Sequence, residues 1–96
     1  MRTFDAKELS RRVDEVLYYL WDPIGVANAP CARAEYASYV PAVTQLVEQN
    51  DDKAPISEFL AAIIAERMEL TPDTKKCDYV SALLLEHKRA IREGLA

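Results

Sequence analysis

Asp5-Ala6-Lys7-Glu8-Leu9-Ser10-Arg11-Arg12-Val13-Asp14-Glu15-Val16-Leu17-Tyr18-Tyr19-Leu20 is the stretch that decides the fold. Turned through about 100° per residue, Leu9, Val13, Val16, Leu17 and Leu20 fall in one narrow arc, the mark of a helix with a single buried stripe. Asp5, with Glu8 three residues on, suits a capping box at its start. Tyr18 projects away from the stripe, so it is expected to be exposed. Aromatics are enriched in binding hot spots, which makes Tyr18 a candidate partner contact.

Working outward, the same period recurs. Tyr36, Tyr39, Val40, Val43, Leu46 and Val47 form a second arc in a helix from Arg33 or Glu35 to Glu48. Pro41 interrupts it, removing one backbone donor and crowding the carbonyl four residues back. Because Pro41 lies opposite the apolar arc, the expectation is a kink or short irregular turn at Tyr39 and Val40, without division into two helices. The segment 49–54 is a polar connector. Pro55 then suits the first turn of a third helix ending near Glu69, with Ile56, Phe59, Leu60, Ile63 and Ile64 inward. Thr71-Pro72-Asp73-Thr74 offers a cap and a first-turn proline for a fourth helix reaching about Arg92, with Gly94 past its end. Its inner face is Cys77, Val80, Leu83, Leu84 and Ile91.

The chain has only two glycines, Gly25 and Gly94, fewer than a sheet protein normally spends on its turns. Its 96 residues, 50% hydrophobic and 29% charged, make one ordinary globular domain and not a disordered segment. The expected fold is therefore all-α: a compact four-helix, bundle-like single domain spanning residues 1–96, with a kink near Pro41.

The longest irregular stretch runs from Trp21 to Ala32. Asp22, Pro23 and Gly25 occupy the first, second and fourth places of a type I turn. Trp21-Asp22-Pro23-Ile24-Gly25-Val26, followed by Glu35-Tyr36 and Tyr39-Val40-Pro41, resembles a group of small bacterial helical proteins carrying a WDPIGV segment and a downstream EYxxYVP segment. The resemblance covers roughly the first half of the chain. It implies a cytoplasmic helical domain and no activity, since the function of that group is unknown. This chain departs from the pattern at Ala34, where the relatives often carry an acidic residue.

The possible chemistry is limited. His87, the single histidine, reads as a residue at the rim of the core, with a partner contact or catalytic base as alternatives. Two glycines cannot build a glycine-rich phosphate loop. Cys31 and Cys77 lack the spacing or companion histidines of a zinc site. Asp22 and Glu35 beside Tyr36 or Tyr39 are compatible with acid–base work. The simpler reading is structural: Asp22 caps its turn and accepts a tyrosine hydroxyl, making Trp21, Asp22, Tyr36 and Tyr39 a loop keystone. No catalytic residue, cofactor or metal is expected.

The net charge of −4 is unevenly spread. Residues 34–70 carry seven acidic and two basic side chains, whereas the flanking segments are close to neutral. Such a surface repels nucleic-acid phosphate and favours a basic protein partner, with Glu48, Asp51 and Asp52 as candidate contacts; the bland alternative is a solvated face that keeps the protein soluble. Lys88, Arg89 and Arg92, with Arg11 and Arg12, form a weaker basic counter-feature. No apolar run suits a signal peptide or a membrane span, so a cytoplasmic location is expected. The reading is a non-catalytic protein-binding module, by analogy of size and charge an immunity or antitoxin-like inhibitor. The alternatives are a small enzyme or ligand-binding domain using Trp21, Asp22, Tyr36 and Tyr39, or a structural homo-oligomer.

Overall fold

The computed structural model describes residues 5–21, 30–67 and 69–94, with the backbone alone for 30–33. Among the described residues there are five α-helices: α1 Ala6–Val16, α2 Pro30–Ala37, α3 Val40–Gln49, α4 Lys53–Glu66 and α5 Thr74–Arg92. A π-helical turn, Leu17–Trp21, continues α1. No strand occurs among the described residues, and the chain is all-α as expected. The Cα radius of gyration is 13.1 Å, close to the roughly 12.5 Å of a compact domain this long.

Three aspartates start helices. Asp5, Asp52 and Asp73 accept the backbone N–H of Glu8, Ala54 and Lys76 at 3.0, 3.3 and 3.1 Å. Each satisfies a donor that has no partner inside its helix. Asp52 thus moves the start of α4 ahead of Pro55, and α4 ends at Glu66, before the expected Glu69. In the 71–74 turn the cap is Asp73, so Pro72 precedes the helix. Gly94 closes α5 at φ 76°, a conformation that costs a residue without Cβ little.

The core is formed by Leu9, Val13, Val16, Leu17 and Trp21 against Tyr36, Val40, Val43 and Val47, with Ile56, Leu60 and Ile63 from α4 and Cys77, Val80, Leu84 and Ile91 from α5. α4 packs most extensively on α5. Ser57 Oγ, donating to Asp78 Oδ1 at 2.6 Å, adds a polar tie between them.

Two expectations are corrected. The segment around Pro41 divides into α2 and α3, joined by a turn at Ser38 and Tyr39. The Ser38 and Tyr39 amides bond three residues back, to Glu35 and Tyr36. Pro41 then sits in the first turn of α3, where its missing donor costs nothing. The kink is present, but as a full interruption.

The second correction concerns Tyr18. A π turn holds an extra residue, because its bonds reach five residues instead of four. Trp21 therefore returns to the core where the regular period places Leu20, and Leu20 is left 44% exposed. Tyr18 is half-buried against the core, and its neighbour Tyr19, 66% exposed, faces outward instead. The two rings meet edge to face at 4.7 Å.

Candidate functional site: the acidic face of α3 and α4

α3 and α4 form a helical hairpin across the short connector Asn50–Asp52. The first turn of α3 lies beside the last turn of α4. Between them runs a groove lined by Ser38, Tyr39, Ala42, Phe59, Ala62, Ile63, Glu66 and Arg67. Its lining mixes apolar side chains with Ser38, Glu66 and Arg67. Glu58, Ala62 and Glu66 stand four residues apart and so form one row along α4, about 12 Å from first to last at the helical rise.

Charge on this face is largely unpaired. Glu48, Glu58, Glu66 and Glu69 are exposed, and the only ion pair made by an acidic residue of segment 34–67 among the described residues joins Asp51 to Lys88. Glu35 is used differently: Tyr39 donates its hydroxyl to Glu35 Oε1 at 2.6 Å. Burial, reinforced by the charge and hydrogen bond of Glu35, pushes the Tyr39 phenol up to about 12. Arg67 lies over the same ring, 6.0 Å from its centroid, at the outer limit of a cation–π contact.

Of the proposed contacts, Glu48 is exposed on the outer side of α3. Asp51 and Asp52 are exposed too, but both have structural work: Asp51 holds Lys88, and Asp52 caps α4. Lys88 is accordingly no part of a basic patch. It is buried, 4% exposed, and donates to the Asn50 carbonyl at 2.5 Å and to Asp51 Oδ1 at 2.9 Å. The ammonium holds the Asp51 carboxyl below its ordinary range.

The keystone aromatics come together. Trp21 lies 5.8 Å from Tyr36 and 6.2 Å from Tyr39, centroid to centroid, and all three side chains are buried. Asp22 lies outside the described residues, as do Pro23 to Val26 and the side chain of Cys31. On its other side, Trp21 borders a cleft of about 160 Å³ with Ile64, Thr71, Asp73, Lys76 and Cys77. The indole Nε1 is buried without a hydrogen-bond partner. Burial pushes the Cys77 thiol up.

His87 sits at the rim of the core. Its Nδ1 lies 3.2 Å from an Arg12 guanidinium nitrogen. A guanidinium only donates, so Nδ1 accepts and the ring is neutral with its proton on Nε2. Burial, then the positive charge of Arg12, lowers the His87 pKa from its ordinary value. Arg12 also bonds Glu8, whose carboxyl Arg11 and Arg12 together hold down to about 2. With its carboxylate held there, Glu8 supports the α1 surface and not the reciprocal half of a capping box.

Of the groove residues, sequence places Phe59 on the inward face of its helix and Glu66 in the acidic segment, but it marks neither Ala42 nor Ala62, and it does not join the four. The four-residue repeat of Glu58, Ala62 and Glu66 is the signal that marks this row. No group of three or more His, Cys, Asp or Glu side chains suited to a metal occurs among the described residues, and none of their helices is long and apolar enough to cross a membrane. Compared with known proteins, the chain matches no family model, no curated protein and no solved structure.

Proposed function

We propose that this chain is a non-catalytic protein-binding module whose α3–α4 face recognises a basic protein, in the manner of an immunity or antitoxin-like inhibitor. The observation behind the reading is that Glu48, Glu58 and Glu66 are exposed on α3 and α4 and form no ion pair among the described residues. On a face where carboxylates outnumber cations the like charges repel one another, and a cationic partner relieves that repulsion while being steered to the surface. The small bacterial helical proteins with the WDPIGV and EYxxYVP segments remain the proposed kin, with a cytoplasmic location.

The competing reading, an enzyme or ligand-binding domain built on Trp21, Asp22, Tyr36 and Tyr39, has less support. The three described rings are buried against one another. The Tyr39 phenol, pushed up to about 12, stays protonated at neutral pH and makes a poor base.

Affinity capture with the wild-type chain and with a Glu48→Gln, Glu58→Gln, Glu66→Gln variant tests the reading. A basic protein retained by the wild type and lost by the folded variant is the expected result. Equal retention by both places recognition elsewhere.

A further inference from the structure

We infer that the cleft beside Trp21 binds a neutral small molecule, one ring in size, that carries a hydrogen-bond acceptor. This site is separate from the acidic face and does not depend on it. The cleft measures about 160 Å³, close to the roughly 150 Å³ of a cavity that accommodates benzene. Trp21, Ile64 and Cys77 are its buried wall; Thr71 and Asp73, exposed, and Lys76, half-buried, are its rim. The rim is tied in place. Glu69 holds a φ of 54°, a region uncommon for a residue with a side chain, and the Leu70 N–H donates to the Ile64 carbonyl at 3.1 Å, fastening the loop that carries Thr71 back onto α4. The indole Nε1 of Trp21 is buried without a hydrogen-bond partner, on a side chain 0% exposed. An unpaired buried donor is costly, so a ligand that brings an acceptor to it is favoured. The other lining groups leave that need unmet: a thiol such as Cys77 is a weak acceptor, Ile64 is apolar, and Asp73 is engaged in capping α5 through the Lys76 amide at 3.1 Å. The opposite charges of Asp73 and Lys76 offset each other at the rim, so the cleft selects neither an anion nor a cation. An uncharged ring that presents a carbonyl oxygen or ring nitrogen to the indole meets all of these conditions.

The probe is acetophenone, with toluene as the ring lacking an acceptor and benzoate as the charged ring, each titrated into the isotope-labelled full chain. Trp21 is the single tryptophan, so its indole N–H gives one NMR signal that needs no assignment. Acetophenone is expected to move this signal downfield and saturably. It should bind about fivefold or more tightly than toluene, the effect of one hydrogen bond, and more tightly than benzoate. Trp21→Phe keeps an aromatic ring without the donor and should abolish the preference for acetophenone over toluene, followed at the Lys76 amide. Thr71→Phe, at the exposed rim, and Cys77→Met, in the buried wall, should each remove saturable binding by filling the cleft. Circular dichroism checks both folds, and Thr71→Phe alone decides if Cys77→Met does not fold. An indole signal that no probe moves saturably, binding that a folded plug leaves unchanged, or a preference that survives Trp21→Phe overturns the inference. Toluene or benzoate binding as tightly as acetophenone would show the cleft to take an apolar or an anionic ligand, and would overturn it too.

Discussion

Lys88 and Asp51 form an unequal pair: a side chain 5% exposed donates its ammonium at 2.9 Å to a carboxylate 87% exposed. The same ammonium also reaches the Asn50 carbonyl, so one lysine of α5 pins the connector between α3 and α4. The acidic hairpin is thereby held at a fixed angle to the rest of the molecule.

Lys88→Met keeps the apolar stem but removes both hydrogen bonds. It should destabilise the fold by about 1 to 3 kcal/mol, the value of hydrogen bonds from a charged donor, read as a lower urea midpoint. Asp51→Asn should cost less, because the carboxylate is solvated and the Asn50 carbonyl is still served. The Asp51 pKa is lowered on folding, so its contribution is present above the ordinary carboxylate value and is lost as pH falls through the folded value. Wild-type stability should therefore decline as pH falls through that range, and Asp51→Asn should flatten that part of the profile.

Trp21→Ala should cost about 3 to 5 kcal/mol, as a buried indole in contact with Tyr36 and Tyr39 is removed. That is much of a small domain's stability. Trp21→Phe should cost distinctly less, since its indole N–H has no hydrogen-bond partner to lose. Thermal melts of the two variants check this ordering.

Thr44 Oγ1 and Ser81 Oγ are buried without a hydrogen-bond partner. Thr44→Val and Ser81→Ala should therefore be neutral or stabilising by up to about 1 kcal/mol, since each removes an unsatisfied hydroxyl. A loss of more than that would mean that the hydroxyl is paired.

His87 should titrate below its ordinary value of 6.5. Its folded pKa is lowered, so the folded state resists protonation, and the associated stability is complete above the ordinary value and declines as pH falls through it. As the single histidine, its ring protons can be followed by NMR without assignment. Arg12→Met should raise the midpoint, and burial should keep it from rising fully to 6.5.

The helices were legible in sequence because each carries a stripe at helical period, and Asp5 and the 71–74 turn mark their starts. Two features escaped that reading for definite physical reasons. Periodicity assumes about 3.6 residues per turn, so the π turn at Leu17–Trp21 exchanges the roles of Tyr18 and Tyr19 without leaving a trace in the pattern. Lys88 lies on the inner stripe of α5 between Leu84 and Ile91, but charge argued for a solvated position. What buries it is the Asn50 carbonyl and Asp51, which come from a distant connector. The acidity of segment 34–70 was plain from composition. The groove within it was not, because a groove depends on how α3 and α4 are spaced.

Tyr19, and not Tyr18, should tolerate truncation. Tyr19→Ala should change stability by no more than about 0.5 kcal/mol, as for an exposed side chain, whereas Tyr18→Ala should cost more by removing packing. If Tyr19→Ala also weakens partner binding, the recognition surface extends to the π turn.

The central claim, recognition of a basic partner by the α3–α4 face, is tested most directly by stopped-flow association with the partner that affinity capture recovers, across a salt series. Steering between opposite charges is screened over about 8 Å at physiological ionic strength, so the association rate should fall steeply as salt rises. The Glu48→Gln, Glu58→Gln, Glu66→Gln variant spares the capping Asp52 and the Lys88 partner Asp51, so it should associate more slowly, with a flatter salt dependence and an unchanged melting temperature. A rate indifferent both to salt and to the triple substitution would contradict the account and leave solubility as the role of the acidic face.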